Sequence, residues 1–135
     1  MALLLIVEDS PKDLDSAASV AKRAGFSEIK TRILASLAIV YLEKALQGES
    51  PLPDAILLDL DLGLESGFEL LRFCHKTKLL SRIPVVVWTI MGEEHREICK
   101  LFGVRDCLSK NDGPAALHNV LARISGMRDS NAGSG

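Results

Sequence analysis

The sequence predicts an α/β domain in which helices cover both faces of a parallel sheet. Three observations support this prediction. Short aliphatic runs alternate with longer segments of helical periodicity along the 135 residues. Two of the runs, Leu3–Val7 and Ala55–Leu58, contain no polar side chain, as expected of strands that are buried on both faces. The connections between the units are short, and the length suits a single domain.

The first two strand–helix units have clear boundaries. Ser10 and Pro11 follow the first aliphatic run and predict the start of a helix, because a hydroxyl can cap it and proline suits its first turn. Gly25 predicts the end of that helix. A weaker strand at Glu28–Arg32 follows, and a helix over residues 36–46 completes the second unit.

The third and fourth units follow the same order. The second aliphatic run ends in Asp59, and we expect a loop over residues 61–67 before a helix over 68–75. The segment Val85–Thr89 is the most β-prone part of the sequence. A helix over Glu93–Phe102 follows it and completes the fourth unit.

The fifth unit is followed by a short polar segment. A strand over residues 105–109 ends at Lys110, and the final helix is predicted over 114–124. Residues 126–135 are small and polar, which indicates a flexible tail or a linker. We therefore assign residues 1–125 to one domain and find no second one.

Five such units predict a doubly wound sheet. The common small solution is the flavodoxin-like (βα)5 fold, with strand order 2-1-3-4-5. In these sheets ligands bind outside the carboxyl ends of the strands, near the point where the strand order reverses. Polar residues at strand ends are therefore the first candidates for a functional site.

The composition excludes several classes of function. The 16 basic and 18 acidic residues give a net charge of −2 without a long run of either sign, and aromatic residues are few. This is not the pattern of a protein that binds nucleic acid or an anionic membrane. No stretch approaches the roughly 18 apolar residues that span a bilayer. The three cysteines are unclustered and the apolar run Leu3–Val7 is too short for a signal peptide, so we expect reduced thiols in a cytoplasmic protein.

Polar side chains follow four of the five predicted strands. They are Glu8, Asp9, Asp59, Thr89 and Lys110. We expect them to share one crevice, because the carboxyl ends of parallel strands lie at the same edge of the sheet. Any one of them alone is more often a turn residue, a helix cap or a solvated side chain. Their joint occurrence indicates a site.

The chemistry of this set suits phosphoryl transfer. Three close carboxylates repel each other unless a cation neutralises them, and oxygen ligands with room for water suit Mg²⁺. An aspartate such as Asp59 can act as a nucleophile and form an acyl phosphate. Lys110 and the Thr89 hydroxyl could then stabilise the equatorial oxygens of the phosphoryl group.

Four segments, in order, resemble the successive motifs of bacterial response-regulator receiver domains. They are LLLIVEDSPKD, AILLDLDLGLESGFELL, IPVVVWT and GVRDCLSKND. The resemblance runs from about residue 3 to residue 121, nearly the whole chain. It implies a CheY-like phospho-accepting domain of two-component signalling.

The resemblance also implies roles for individual residues. Asp59 would be the phospho-acceptor and a ligand of Mg²⁺ or Mn²⁺. Asp9 would bind the metal directly, Glu8 mainly through water, and Asp61 through its backbone carbonyl. The residues that would contact the phosphoryl group are Thr89 and Lys110.

The partners follow from the same resemblance. The donor would be a histidine kinase or a histidine phosphotransfer protein. The domain would catalyse its own phosphorylation and dephosphorylation without being a turnover enzyme. Phosphorylation would switch a surface for an unidentified downstream protein, formed by the last two strands and helices. A second copy of the chain is a further option.

Four positions depart from the family pattern. Asn111 replaces the proline after the lysine, so we expect a trans peptide and a differently shaped loop. Cys107 replaces the usual switch aromatic, which affects how the site couples to the surface. Ile90 is larger than the usual alanine and is expected to narrow access to the site. Gly63 replaces a common proline, and we expect a more mobile loop there.

Two alternatives belong to other functional classes. Asp59-Leu60-Asp61 also resembles the DxD nucleophile of haloacid-dehalogenase-type phosphatases, but those place it on their first strand and need further acidic ligands after the lysine. The second alternative is a receiver-like binding module that no longer uses phosphorylation. Cys107 and Asn111, together with Ile90, favour it, whereas the intact set at the strand ends opposes it.

Overall fold

The computed structural model describes residues 2–90 and 93–134, and for 93, 94 and 128–134 it describes the backbone only. The strands in chain order are β1 (Leu3–Val7), β2 (Glu28–Arg32), β3 (Ala55–Leu58), β4 (Asp61–Leu62), β5 (Glu65–Ser66), β6 (Val85–Thr89) and β7 (Asp106–Ser109). The helices are α1 (Pro11–Ala24), α2 (Ala35–Leu46), α3 (Phe68–Lys76), α4 (Glu93–Phe102) and α5 (Pro114–Ser134). Short 3-10 turns lie at Leu79–Ser81 and Lys110–Asp112.

Five strands form one parallel sheet in the order β2-β1-β3-β6-β7. With the two-residue strands β4 and β5 left out, this is the predicted order 2-1-3-4-5, so the predicted fold is confirmed. The strand order reverses between β1 and β3. The carboxyl ends of these two strands therefore flank the crevice in which ligands of such sheets bind.

The core has two layers, one on each face of the sheet. Leu5 and Val7 of β1 pack on the face that α2, α3 and α4 cover. Leu4 and Ile6 point to the opposite face, which α1 and α5 cover. Because successive side chains of a strand alternate between faces, a strand buried on both must be apolar throughout. This is the physical reason for the unbroken aliphatic runs.

Helix α1 begins and ends as the sequence predicts. The Ser10 hydroxyl accepts a hydrogen bond from the backbone N–H of Asp13 at 3.3 Å, and Pro11 occupies the first turn. Gly25 ends the helix with a φ of 113°, a left-handed conformation that favours glycine. The cap fixes where the first turn of α1 lies relative to the end of β1.

The segment after β3 contains more structure than predicted. Residues 61–67, expected to form a loop, include the antiparallel hairpin of β4 and β5. Leu62 is buried in the hairpin, whereas Leu64 at its tip is 94% exposed. Gly63 has a φ of 69°, which proline cannot adopt because its ring fixes φ near −65°. The shape of the hairpin therefore excludes a proline at this position and suits a glycine.

The C-terminal helix is longer than predicted. It does not end near residue 124 but continues to Ser134. No proline follows Pro114, and a glycine inside a helix costs only about 1 kcal/mol, so Gly126 does not end it. Met1 and Gly135, the outer limits of the predicted domain and tail, lie outside the described residues.

Candidate functional site

The polar side chains that follow the strands do meet at the carboxyl edge of the sheet. They line a cleft with a volume of about 230 Å³. The lining residues include all five predicted ones, Glu8, Asp9, Asp59, Thr89 and Lys110, together with Asp61 and Ile90. The parallel arrangement of β1, β3, β6 and β7 brings them together, as expected from their positions in the sequence.

Asp59 lies at the centre of the cleft and is only 5% exposed. Its backbone N–H donates to the Val7 carbonyl at 3.0 Å, which continues the ladder between β1 and β3. Oδ1 accepts hydrogen bonds from the Thr89 hydroxyl at 2.6 Å and from the backbone N–H of Asp61 at 2.9 Å. Oδ2 lies 2.9 Å from the ammonium of Lys110. Both carboxylate oxygens are therefore held in one orientation.

Lys110 contacts three carboxylates at once. Its Nζ lies 2.6 Å from Glu8 Oε1, 2.7 Å from Asp13 Oδ2 and 2.9 Å from Asp59 Oδ2. It also lies 5.1 Å from the centre of the Trp88 ring, a cation–π distance. Burial alone would lower the pKa of Lys110, but the contacts with Asp13, Glu8 and Asp59 outweigh it and raise that pKa above its usual value. The side chain is therefore a fixed positive charge.

The turn after β7 holds Lys110 in place. The Ser109 hydroxyl accepts from the backbone N–H of Asn111 at 3.1 Å, and the Ser109 N–H donates to Asp112 Oδ2 at 3.1 Å. This reciprocal pair is a capping box around the 3-10 turn. No cis peptide occurs among residues 2–90 and 93–134. The expectation of a trans bond before Asn111 is confirmed.

Glu8 is a buried acid, with 1% of its surface exposed. Its Oε2 accepts from the backbone N–H groups of Asp9 at 3.0 Å and Ser10 at 3.3 Å. Burial, followed by the charge of Asp59, raises the pKa of Glu8 to about 7, although the Lys110 contact acts in the opposite direction. Burial is thus the main reason why this carboxyl holds its proton more tightly than an exposed one.

Three of the acids are placed to hold a cation. Glu8, Asp9 and Asp59 each offer a carboxylate oxygen, and these oxygens all lie within 4.8 Å of one another. Carboxylate oxygens are hard ligands of the kind that divalent ions such as Mg²⁺ and Mn²⁺ prefer. Asp9 is exposed, which leaves the cluster open to solvent and to water ligands. The donor set therefore fits a divalent metal ion.

Two further residues shape the site and were not predicted from the sequence. Asp13 lies in the first turn of α1 and reaches Lys110, and the Ser10 cap could have indicated that this turn faces the end of β1. Gly67 lies against the backbone that follows β3. A Cβ atom there would lie 2.3 Å from the carbonyl oxygen of Asp59, so no other residue fits without moving that backbone.

The residues expected to control access and coupling lie apart from one another. Ile90 is 69% exposed and lies at the rim of the cleft. Cys107 does not line the cleft. It packs in the layer beneath α4, with its sulfur 3.2 Å from that of Cys99. The position that carries the switch aromatic in the family is thus part of the core contact between β7 and α4.

A comparison with known protein families decides the family. Residues 4–122 match the sequence profile described as the response regulator receiver domain. The chain belongs to this family. Receiver domains are not a turnover-enzyme family, and the match leaves no room for a separate phosphatase fold in residues 4–122. The DxD phosphatase alternative is therefore not supported.

Known receiver domains are similar over nearly the whole chain. PhoB, the phosphate regulon transcriptional regulatory protein of Escherichia coli (strain K12), is 30% identical over 129 residues, or 92% of this chain and 53% of PhoB. The chain therefore spans about half the length of that relative. PilH of Pseudomonas aeruginosa is 29% identical and is covered over its full length by 93% of this chain.

Solved structures of the family have the same fold. The Mn²⁺-bound form of the response regulator Rcp1 is 29% identical, with a TM-score of 0.76 over 92% of this chain and 91% of Rcp1.

None of the helices in the described parts of the chain combines the length and the apolar character needed to cross a membrane.

Proposed function

We propose that this receiver domain is a phosphorylation-controlled switch in which Asp59 accepts a phosphoryl group from a phosphohistidine. The observation that supports this most directly is the environment of Asp59. Its carboxylate is buried and oriented by a hydroxyl from Thr89 and an ammonium from Lys110, beside two further acids. A carboxylate held in this way can act as a nucleophile while the same donors receive the incoming charge.

The transfer forms one bond and breaks one. A carboxylate oxygen of Asp59 bonds to phosphorus, and the bond between phosphorus and the histidine nitrogen of the donor breaks, which leaves an acyl phosphate. The Lys110 ammonium and the Thr89 hydroxyl lie within hydrogen-bond distance of that carboxylate and can therefore reach oxygens of the attached phosphoryl group.

A divalent ion, which we propose to be Mg²⁺, would be bound by Glu8, Asp9 and Asp59 with the backbone carbonyl of Asp61. Such an ion neutralises carboxylates and phosphoryl oxygens together and so permits an anionic donor to approach. The fit rests on the three clustered carboxylates, whose oxygens all lie within 4.8 Å of one another.

Output would follow from the charge that phosphorylation adds to the edge of the sheet, about −1.5 to −2 for a phosphate group. We propose that the face formed by β6, α4, β7 and α5 binds a downstream protein in the cytoplasm. Residues 1–125 would form the receiver domain, with the following segment as a linker or tail. The donor would be a histidine kinase or a histidine phosphotransfer protein, since receiver domains interact with these classes.

Replacing Asp59 tests the assignment. Asp59→Asn removes the nucleophile and should abolish Mg²⁺-dependent incorporation of labelled phosphate from a histidine kinase. Asp61→Asn is the matched control, because the Asp61 side chain is exposed and only its backbone groups are assigned to the site. This control should retain labelling, and the label should be released by hydroxylamine, as an acyl phosphate is. Equal labelling of wild type and Asp59→Asn would refute the proposal.

A phosphorylation-independent binding module remains the second candidate. One observation favours it: Cys107, at the position of the family's switch aromatic, packs in the core against Cys99. Mg²⁺-dependent binding of beryllofluoride, a mimic of the phosphoryl group, separates the two. The single Trp88 lies 5.1 Å from the Lys110 ammonium and should report such binding by fluorescence. No saturable fluorescence change in wild type would favour the second candidate.

A further inference from the structure

Two of the three cysteines lie in direct contact although the sequence separates them. The Cys107 thiol lies 3.2 Å from the sulfur of Cys99. Both are thiols, and Cys99 is buried while Cys107 is partly exposed. Since the sulfurs of a disulfide are about 2.05 Å apart, the two atoms need to approach each other by only about 1.1 Å.

The fold of β7 explains why these cysteines meet. Asp106 forms an ion pair with Arg123 of α5, at 2.5 Å, and Leu108 packs in the same layer beneath α1 and α5. Because side chains alternate along a strand, Cys107 points to the opposite face of the sheet. That face is covered by α4, and Cys99 lies on its inner side, in the same core cluster.

We propose that Cys99 and Cys107 are a modification site, at which a peroxide oxidises the pair to a reversible intramolecular disulfide. Cys107 is the sulfur that an oxidant reaches first, because it is partly exposed and Cys99 is not. Burial, with the neighbouring Cys107 adding to it, raises the pKa of Cys99 to about 12, so Cys99 is a poor first target.

The reaction balances with hydrogen peroxide as the oxidant. One peroxide oxygen is transferred to the Cys107 sulfur, which gives a sulfenic acid and a water. The Cys99 sulfur then attacks the Cys107 sulfur, the S–S bond forms, and the S–O bond breaks. The departing hydroxide leaves with the Cys99 proton as a second water. Two thiols and one peroxide thus give one disulfide and two waters.

The disulfide would attach α4 to β7 covalently. Both elements belong to the face proposed above for partner binding, so this consequence for signalling rests on the proposed function. The formation of the bond does not, since neither cysteine lines the cleft. In a reducing cytoplasm such a bond would be transient and would form only under oxidative conditions.

Peptide mapping tests the proposal directly, because trypsin cleavage places each cysteine on its own peptide. Cys74 falls in residues 73–76, Cys99 in 97–100 and Cys107 in 106–110. The full chain is treated with hydrogen peroxide, alkylated under denaturing conditions and digested without reductant. We expect the 97–100 and 106–110 peptides to be recovered as one linked species, and dithiothreitol to restore the separate peptides.

Four variants make the result decisive. The linked species should persist in Cys74→Ser and be lost in Cys99→Ser and Cys107→Ser. It should also persist in Asp59→Asn, so that failure of the phosphorylation proposal and failure of this one are distinguishable. Oxidised wild type should remain a monomer on a non-reducing gel and unfold at a higher temperature than the reduced protein. Recovery of Cys107 as a sulfinic acid with Cys99 alkylated, or of intermolecular dimers, would overturn the proposal.

Discussion

Removal of the Lys110 ammonium should destabilise the protein far more than removal of another lysine charge. The Lys110 side chain is only 11% exposed, and its Nζ contacts the carboxylates of Glu8, Asp13 and Asp59. Lys110→Met keeps most of the apolar stem but leaves three acids without their cation. Breaking a buried ion pair from one side typically costs about 3–5 kcal/mol. We expect the lower end, about 3 kcal/mol, because the cleft is open to solvent near Asp13.

The matched control is Lys100→Met on the surface of α4. Lys100 and Glu97 are 3.9 Å apart, and both side chains are more than 70% exposed. Surface pairs of this kind contribute little, so the control should change the free energy of unfolding by about 0.5 kcal/mol or less. The two variants remove the same charge, from a buried site with three acidic partners in one case and from an exposed site with one in the other.

The assay is urea unfolding followed by circular dichroism, in the presence of a chelator. It is best done at about pH 8.5, where Glu8 of the wild type, whose pKa burial raises to about 7, is ionised beside Lys110. Addition of Mg²⁺ at about 100 times its dissociation constant should raise the free energy of unfolding of Lys110→Met by about 2–3 kcal/mol, because the ion binds only the folded state. Equal free energies of unfolding for the Lys110 and Lys100 variants would refute the reasoning.

Three further predictions follow from single residues. Ile90→Ala opens the rim of the cleft and should accelerate phosphorylation by a small-molecule donor; an unchanged rate in a stopped-flow assay would contradict it. Gly67→Ala places a methyl group 2.3 Å from the Asp59 carbonyl oxygen and should cost about 3 kcal/mol or more in chemical denaturation, whereas Gly126→Ala, with nothing within 4 Å, should be neutral or gain up to about 1 kcal/mol. Cys74, whose pKa burial raises from 9.0 to about 12, should react with iodoacetamide about a thousandfold more slowly than in the unfolded chain at the same pH below 9. Because the pKa of the Cys74 thiol is raised in the folded state, the contribution of this thiol to the free energy of unfolding is complete below pH 9 and is lost as the pH rises toward 12.

The fold could be predicted because its constraints are local in sequence. A strand buried on both faces needs an unbroken apolar run, as at Leu3–Val7 and Ala55–Leu58, and a helix needs a cap such as Ser10 or Gly25. The hairpin over 61–67 has strands of two residues each, too short for a periodic pattern. It depends on the burial of Leu62, a tertiary contact that the sequence does not display.

The candidate site likewise depends partly on constraints that are local in sequence and partly on tertiary contacts. Residues directly after a strand share an edge of the sheet, so their proximity follows from topology alone. Asp13 was missed because its contact with Lys110 depends on how α1 packs against the sheet, and 97 residues separate the two. The contact between Cys99 and Cys107 was missed for a similar reason, since it depends on the face of β7 that α4 covers.

The geometry of Lys110 sets a condition on any switch at Asp59. A lysine ammonium has three N–H donors, and three carboxylates from three parts of the fold already surround it. A phosphoryl oxygen on Asp59 would be a further acceptor, so Lys110 would reach it only by weakening a contact to Glu8, to Asp13 or to the Asp59 carboxylate itself. Glu8 follows β1, Asp13 belongs to α1 and Lys110 itself follows β7, so a shift of the ammonium would change contacts on both sides of the cleft. Coupling of this kind requires no aromatic side chain at position 107.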